Sequence, residues 1–388
     1  MAEWCMILPA APKRKTDGVF VAVATALVAI AAAGCARPEE TGYVEPELEI
    51  ECSQECADEF VWALALEPGW DAPGEERLAC PHCGAYADSR AVASFGSLAF
   101  ERLGDGVAVV GFSGDETWAI IPAEYRDGSP VVAIGESAFA NSALSRVSIP
   151  ASVAYIGDWA FAGSRLESVE IPEGATRIGA GAFRSNRLRE AVIPDSVTSL
   201  GDWAFADNLI ESVEIGAGLV RIPDAAFLNN RLSVAIIPGG VAAIGNSAFF
   251  GNRIERVEIG SGVVEIGASA FAGNRLAGVS IPAGVATIGA SAFADNLLSE
   301  IEIPGGVSFI GGWAFAGNRL ENVSVPANVA TMGMAVFADN PRLGEIRVPF
   351  AALAQADAAW WWGTWRNGIG AAVILNNSNP PQQIFPAQ

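Results

Sequence analysis

The stretch LESVEIPEGATRIGAGAFRSN, Leu166 to Asn186, decides the fold because its pattern returns along the chain every 22 residues. Its clearest mark is a phenylalanine that recurs at this constant spacing. The ten members of the series are Phe139, Phe161, Phe183, Phe205, Phe227, Phe249, Phe271, Phe293, Phe315 and Phe337. A fixed period of this kind is typical of a solenoid, in which each repeat covers the apolar face of its neighbour.

Within one repeat, Leu166, Val169 and Ile171 form a run that suits a short strand. Pro172 ends it by removing a backbone donor, and Gly179 permits a bend that other residues resist. We predict a coil with one strand per repeat, with the strands stacked in parallel at about 4.8 Å. The leucine, valine, isoleucine, alanine and phenylalanine side chains point inward.

A second series consists of asparagines. Because a buried amide must be hydrogen-bonded, and because an asparagine side chain satisfies backbone groups at turns, we interpret this series as structural. Its members are Asn186, Asn208, Asn230, Asn252, Asn274, Asn296, Asn318 and Asn340.

The pattern LxxVxIPxxVxxIGxxAFxxN resembles the BspA-like class of bacterial leucine-rich repeats over roughly residues 107–350. The resemblance implies a leucine-rich repeat solenoid of 22-residue units. Its parallel β-sheet would lie on the concave face, and its convex side would be irregular or built of short helical segments. The resemblance also implies a binding scaffold, which in some members adheres to host or neighbouring-cell proteins.

Charge and composition restrict the function. The chain of 388 residues carries a net charge of −21, and Lys15 is its last lysine. Such a chain lacks the clustered basic side chains that nucleic acids require, so we expect no nucleic-acid partner. His82 is the only histidine and lies between two cysteines, so no Ser-His-Asp set is available. We predict that the protein is not an enzyme.

The N-terminal region is typical of an export signal. Residues 13–15 are basic, and residues 19–33 are an apolar run that suits the core of a signal peptide. The following Gly34-Cys35 resembles a bacterial lipobox, which implies that Cys35 is lipidated. We predict a signal peptide over residues 1–34 and a solvated tether over 35–49. The expected location is the bacterial cell envelope, at the outer membrane or cell surface, with an ordinary cleaved signal or an uncleaved anchor as alternatives.

Residues 50–90 contain two cysteine pairs with the spacing C-x3-C-x23-C-x2-C. Four thiolates would close a structural zinc site, whereas export to an oxidising compartment favours two disulfides. Free or redox-active thiols are the third alternative. The cysteines are Cys52, Cys56, Cys80 and Cys83. Zinc is the only cofactor that the sequence suggests.

The ends of the array are expected to shield its core. We predict an N-terminal cap over residues 91–137, the repeat array over 138–350, and a tryptophan-rich C-terminal cap over 351–375. The tryptophans of the last segment could instead form an aromatic patch for carbohydrate or membrane contact. Residues 376–388 have the composition of a disordered tail.

One outward strand position, between the repeated valine and isoleucine, carries a glutamate in every second repeat. We predict a partner-binding stripe on the concave face, and a merely solvated sheet face is the alternative. The stripe consists of Glu170, Val192, Glu214, Ile236, Glu258 and Glu302. Glutamates two repeats apart are about 10 Å from each other, too far to share one Ca²⁺ ion.

These observations predict an envelope lipoprotein that binds a protein partner through its concave face and the membrane through its N-terminal lipid. The alternatives are a periplasm-facing structural or assembly protein, and a glycan-binding surface protein.

Overall fold

The chain forms a β-solenoid of about 11 turns, one per repeat of about 22 residues, as the sequence predicts. This computed structural model describes residues 61–79, 86–349, 372–376 and 382–383. Within these residues the helical structure is a single 3-10 turn at Phe95–Ser97. The predicted signal peptide and tether, and most of the predicted C-terminal cap and disordered tail, lie outside the described residues.

The N-terminal part of the described chain is antiparallel. Strands β1 (Val61–Leu66), β2 (Gly74–Ala79) and β3 (Tyr86–Val92) form a three-stranded sheet in that order. Strand β4 (Leu98–Leu103) pairs antiparallel with β5 (Gly106–Phe112), which begins the parallel stack.

Most repeats then contribute a strand at the position of the repeated valine, and we call this stack ladder I; the segments 277–281 and 299–303 form no regular strand. Its strands are β6 (Trp118–Ile120), β8 (Arg146–Ser148), β10 (Ser168–Val169), β12 (Glu190–Ile193), β14 (Ser212–Ile215), β16 (Val234–Ile236), β18 (Arg256–Glu258), β22 (Asn322–Ser324) and β24 (Glu345–Pro349). Strands β25 (Ala372–Asn376) and β26 (Gln382–Gln383) continue the sheet after β24.

Every repeat from residue 131 to residue 332 contributes a second strand, followed by a glycine in all of them but one, in which Pro223 follows, and we call this stack ladder II. It contains β5 and then β7 (Val131–Ile134), β9 (Tyr155–Ile156), β11 (Arg177–Ile178), β13 (Ser199–Leu200), β15 (Arg221–Ile222), β17 (Ala243–Ile244), β19 (Glu265–Ile266), β20 (Thr287–Ile288), β21 (Phe309–Ile310) and β23 (Thr331–Met332). The prediction of one strand per repeat is therefore wrong. Strands of two residues are too short to show alternation, and they form here because each pairs with the equivalent strand of at least one adjacent repeat. β13 and β15 are not paired, so ladder II consists of two six-stranded sheets.

The glycine after each ladder II strand has a different role from the predicted one. An added Cβ at Gly179 would lie 2.4 Å from Asp158 Oδ1 and 2.5 Å from Asp158 N, and one at Gly201 would lie 2.2 Å from Ala180 N. Neither glycine has a positive φ. The position requires glycine because the backbone of the previous repeat approaches closely, not because the chain needs a special bend.

The Ala-Phe segment of each repeat forms a third set of hydrogen bonds. Phe161 N donates to Ala182 O at 2.8 Å, and Phe183 N donates to Ala204 O at 2.8 Å. The residues two positions before and two positions after each phenylalanine from Phe139 to Phe315 bond in the same way, from an N–H of one repeat to a carbonyl of the following repeat. These peptide dipoles therefore align along the stack, as they do in a helix.

The core is a column of phenylalanine rings. The ten rings of the series are at most 1% exposed. Neighbouring ring centres are 4.9–5.9 Å apart, and neighbouring planes differ by 16° or less. These values fit offset stacking. Phe112 extends the column, with its ring centre 5.5 Å from that of Phe139. It lies outside the 22-residue period, so the period did not identify it.

The asparagine series binds backbone groups of two repeats at once. Asn186 Nδ2 donates to Phe161 O at 2.8 Å and to Phe183 O at 3.0 Å. Its Oδ1 accepts a hydrogen bond from Leu166 N at 3.0 Å. In the preceding repeat Ser164 takes this position, and its hydroxyl donates to Phe139 O at 2.8 Å. The hydrogen-bonded, structural role predicted for the asparagines is confirmed.

A buried ion pair joins the three-stranded sheet to the first repeats. Glu76 is fully buried, and its two oxygens lie 2.6 Å from Arg90 Nε and 2.9 Å from Arg146 Nη1. Each guanidinium also lies over an indole, Arg90 over Trp62 at 4.2 Å and Arg146 over Trp118 at 4.3 Å. The sheet and ladder I are thus connected through one buried carboxylate, whose charge is compensated by two partly exposed guanidinium groups.

Candidate binding faces

The outward face of ladder I contains every residue of the predicted stripe. Val192 is 48% exposed and Ile236 is 55% exposed, and the four glutamates of the stripe are exposed as well. In the strand register Val192 is opposite Glu214, and Ile236 is opposite Glu258. Aliphatic and acidic side chains therefore neighbour each other on one surface, which we call the ladder I face.

This face is strongly acidic. It includes three positions per repeat, namely the two residues before the buried valine and the one after it. Across β8 to β24 these positions hold four arginines and eleven glutamates. The glutamates are Glu167, Glu170, Glu190, Glu211, Glu214, Glu255, Glu258, Glu300, Glu302, Glu321 and Glu345.

Few of these glutamates are neutralised. Arg256 pairs with Glu258 on the same strand, and Arg189 lies 3.9 Å from Glu211 across two strands. Glu170, Glu214 and Glu302 have no ion-pair partner among the described residues. Exposed charges at this density create a negative potential that attracts basic partners.

The apolar centre of the face is larger than the sequence predicts. Val234 lies two residues before Ile236 on β16, so both side chains point outward, and Val234 is 40% exposed. The prediction followed one outward position per repeat and so missed it. The alternation within a strand would have identified it.

Two depressions mark the C-terminal half of the face. One of about 630 Å³ is lined by residues from Ser299 to Arg347, and one of about 480 Å³ by residues from Gly278 to Pro304. The smaller one lies in the stretch between β18 and β22 in which ladder I has no regular strand, and the larger one extends from this stretch onto β22 and β24. The small residues Gly278 and Ser280 make the surface recessed there, next to Glu300 and Glu302.

The four predicted cysteine ligands, Cys52, Cys56, Cys80 and Cys83, lie outside the described residues, as do Cys35 and the four clustered tryptophans. Cys80 directly follows Ala79, the last residue of β2, and Ala79 is in register with both Val61 and Tyr86. Within the described residues, no group of three or more His, Cys, Asp or Glu side chains is placed to hold a metal. No helix of the described part is long and apolar enough to cross a membrane.

One carboxyl group of the array has a shifted pKa. Burial opposes the shift at Asp224, but hydrogen bonds from the side chain and backbone of Asn246, together with Arg221, hold its pKa below the ordinary value. Asp224 Oδ1 accepts from Asn246 N at 3.0 Å, and Oδ2 accepts from Asn246 Nδ2 at 2.9 Å. The carboxylate thus ties two repeats together.

Comparison with solved structures finds other leucine-rich repeat proteins. The pneumococcal vaccine antigen PcpA is 20% identical, with 65% of this chain and 80% of PcpA covered and a TM-score of 0.48. A leucine rich cell surface protein of Faecalibacterium prausnitzii is 21% identical, with 73% and 94% covered and a TM-score of 0.40. A leucine-rich repeat protein of Bacteroides ovatus is 18% identical, with 72% and 98% covered and a TM-score of 0.39.

No curated protein sequence matches the chain. The model of a family described as a BspA type leucine rich repeat region matches residues 128–233 and 220–344, with six copies. Together these matches span more than half of the 388 residues. The chain therefore belongs to the family of BspA-type leucine-rich repeat proteins.

Proposed function

We propose that this protein is a scaffold of the bacterial cell envelope that binds a protein partner across the ladder I face. The observation that carries the proposal is the combination of unpaired glutamates with an exposed aliphatic centre at Val192, Val234 and Ile236. A surface that only had to remain soluble would not need these aliphatic side chains.

The size of the face fits a protein partner. Ten repeats at about 4.8 Å give a length of about 45 Å, and the three outward positions give a width of about 10–15 Å. The resulting area of roughly 450–700 Å² approaches the ~800 Å² that one partner buries in a standard interface. Because the strands are fixed by the stacked core, little conformational entropy is lost on binding.

The charge of the face indicates the chemistry of the partner. A complementary surface would present lysine or arginine side chains around an apolar patch, with the basic groups steering association. The two depressions beside Glu300 and Glu302 would accept the longest of these side chains. The function proposed here is binding, and no reaction is assigned to the chain.

We further propose that the N-terminal leader exports the chain and that lipidation of Cys35 anchors it. Acyl chains stabilise membrane attachment when at least two are present. Protease treatment of intact producing cells tests the location, with a periplasmic protein as control. Cleavage of the array while the control survives would support surface exposure, whereas protection of both would favour the periplasm-facing structural role.

Site-specific photocrosslinking on producing cells tests the binding face. A photoreactive residue at Ile236 should yield a discrete adduct, and one at Val264, which is 49% exposed near ladder II, should not. Reversing the charge with Glu214→Lys and Glu302→Lys should abolish the Ile236 adduct. Equal adducts from both positions, or an adduct insensitive to charge reversal, would contradict the proposal.

A further inference from the structure

A line of arginines borders the ladder I face. The residue directly before the repeated buried leucine or isoleucine is an arginine in seven of the nine repeats from Leu166 to Leu343. We call this line the arginine column, and its members are Arg165, Arg187, Arg231, Arg253, Arg275, Arg319 and Arg342. All of them are exposed except Arg231, which is half-buried. The chain therefore does cluster basic side chains, along a single line, although its net charge is −21.

The arginine column stacks like charges, which the neighbouring surface avoids. At each of the three outward positions of the ladder I face, no two glutamates occupy adjacent repeats. The arginines, in contrast, occupy three adjacent repeats at Arg231, Arg253 and Arg275, and two adjacent repeats at each end of the column. Like charges on neighbouring strands are destabilising, so folding does not explain this arrangement.

Most of the column lacks a counter-charge. Arg275 Nη1 lies 4.0 Å from Glu255 Oε1, which shows that the column reaches the ladder I face. The other six arginines of the column have no ion pair among the described residues. The stack fixes the spacing of the column, because Arg253 N donates to Leu232 O at 3.0 Å and Arg275 N donates to Ile254 O at 2.9 Å. Unpaired charges of both signs therefore lie side by side at fixed positions.

The ladder I face and the arginine column together are balanced in charge. The face holds four arginines and eleven glutamates, and with the seven arginines of the column the surface holds eleven of each. A polyanion on the column would meet the adjoining glutamates, and a polycation on the face would meet the adjoining arginines. The surface that complements this one must carry parallel acidic and basic lines of its own, and the chain itself presents such a surface.

We propose that the ladder I face, with the arginine column, binds the same surface of a second copy of this chain. The inference rests on the function proposed above, since it names the partner of the same face. The arginine column forms one edge of the surface, and the glutamates at every second repeat form the other edge, which are Glu170, Glu214, Glu258 and Glu302.

The order of these edges determines the symmetry of the pair. A two-fold axis parallel to the stack exchanges the two edges, so that each arginine column faces the glutamate edge of the other copy. A two-fold axis across the stack would instead place arginine on arginine and glutamate on glutamate. Only the parallel axis is favourable, and it makes both chains enter their arrays at the same end. This arrangement agrees with the lipid anchor proposed at Cys35, because both copies would start from one membrane.

This symmetry also places aliphatic side chains at the centre of the interface. The axis runs midway between Arg231 and Ile236, next to the exposed Val234, so that Val234 meets its own copy. An apolar centre with a charged rim is typical of protein interfaces. The arginine column widens the surface by two residues, or about 7 Å, so that each copy offers roughly 750–1,000 Å². This area matches the ~800 Å² that one partner buries in a standard interface.

Sedimentation velocity of the purified full-length chain measures self-association, and the wild type should sediment as a dimer at micromolar concentration. Two double variants reverse the charge of opposite edges. They are Arg231→Glu with Arg253→Glu, and Glu214→Arg with Glu258→Arg. Each should weaken self-association about tenfold or more, because like charges then face each other across the interface. When the two variants are mixed in equal amounts, a heterodimer should form, since the reversed edges are again complementary.

Two further measurements make the test specific. Arg177→Glu reverses an exposed charge on ladder II and is the control, which should leave self-association unchanged. A photoreactive residue at Val234 on producing cells should yield an adduct with twice the mass of the chain. Association of the mixed variants also shows that both are folded, since a misfolded variant could not be rescued.

The inference is overturned if the wild type is monomeric, if the mixed variants do not associate, or if Arg177→Glu weakens the dimer as much as the double variants do. A Val234 adduct with a different protein would overturn the second copy as partner while supporting the proposed binding function. Absence of an adduct from both Val234 and Ile236 would contradict both proposals.

Discussion

Removing one asparagine from the middle of the series tests what holds adjacent repeats together. Asn230 is 6% exposed. Its Nδ2 donates to Phe205 O at 2.9 Å and to Phe227 O at 3.2 Å, and its Oδ1 accepts from Ile210 N at 3.0 Å. In Asn230→Ala, each phenylalanine carbonyl keeps one other amide donor, from Asn208 and Asn252 respectively. The Ile210 N–H loses its acceptor.

These losses set the magnitude. One orphaned buried N–H costs about 1–3 kcal/mol, and each of the two weakened carbonyl contacts costs about 0.5–1 kcal/mol. We therefore expect Asn230→Ala to lower the free energy of unfolding by about 2–5 kcal/mol. Because a solenoid is stabilised by nearest-neighbour interfaces, the damage should also uncouple the two halves of the array and broaden the urea transition.

The assay is urea unfolding followed by circular dichroism, with hydrogen exchange of the Ile210 amide as a local readout. Asn230→Asp is nearly isosteric and leaves no cavity. At neutral pH, however, it places a carboxylate against the carbonyl oxygens of Phe205 and Phe227, so it should lower the free energy of unfolding at least as much as Asn230→Ala does. Asn246→Ala is the control, since Asn246 is exposed although it also bridges adjacent repeats. Equal and small losses for Asn230→Ala and Asn246→Ala would refute the argument.

Three further predictions concern other parts of the chain. Glu76→Gln removes the buried carboxylate that Arg90 and Arg146 contact, and because both arginines are partly exposed and stay solvated, it should lower stability by about 1–3 kcal/mol in thermal unfolding. Glu75→Gln, at the neighbouring half-buried site where Glu75 pairs with Arg77, should change little. Because the pKa of Asp224 is lowered in the folded state, its carboxylate stabilises the fold at pH values above the unfolded-state pKa, and this stabilisation is lost as the pH falls through the folded-state pKa. Asp224→Asn lacks this titrating group. Its free energy of unfolding, measured by urea titration, should therefore decrease less than that of the wild type between neutral pH and a pH of about 3. For the cysteine segment, metal analysis combined with thiol titration should find either bound zinc or two disulfides among Cys52, Cys56, Cys80 and Cys83, and four free thiols without metal would contradict both hypotheses.

Much of the interior could be predicted from the sequence because each interior side chain contacts a copy of itself. Phe183 stacks between Phe161 and Phe205, so one residue type must recur at a fixed spacing or the column is broken. The same constraint applies to the asparagines, whose hydrogen-bonded partners lie in two different repeats. A period in the sequence is thus direct evidence of a contact in the fold.

The exterior was less predictable because its positions are not bound by this constraint. Val234, for example, lies at an outward position whose residue type changes from one repeat to the next. The second strand of each repeat was missed for another reason. Arg177 and Ile178 form a strand only through their neighbours in the stack, and no local propensity of two residues can indicate that.

The two ends of the array must differ chemically, because the third set of hydrogen bonds runs in one direction. Each repeat from that of Phe139 to that of Phe315 donates N–H groups of its Ala-Phe segment to the following repeat. The last repeat therefore presents the N–H groups of Ala335, Phe337 and Asp339, which have no acceptor within the described residues, and the first repeat presents carbonyl groups. A C-terminal cap must therefore supply hydrogen-bond acceptors, and an N-terminal cap must supply donors. The two caps of this solenoid cannot replace each other, although its repeats are nearly equivalent to one another.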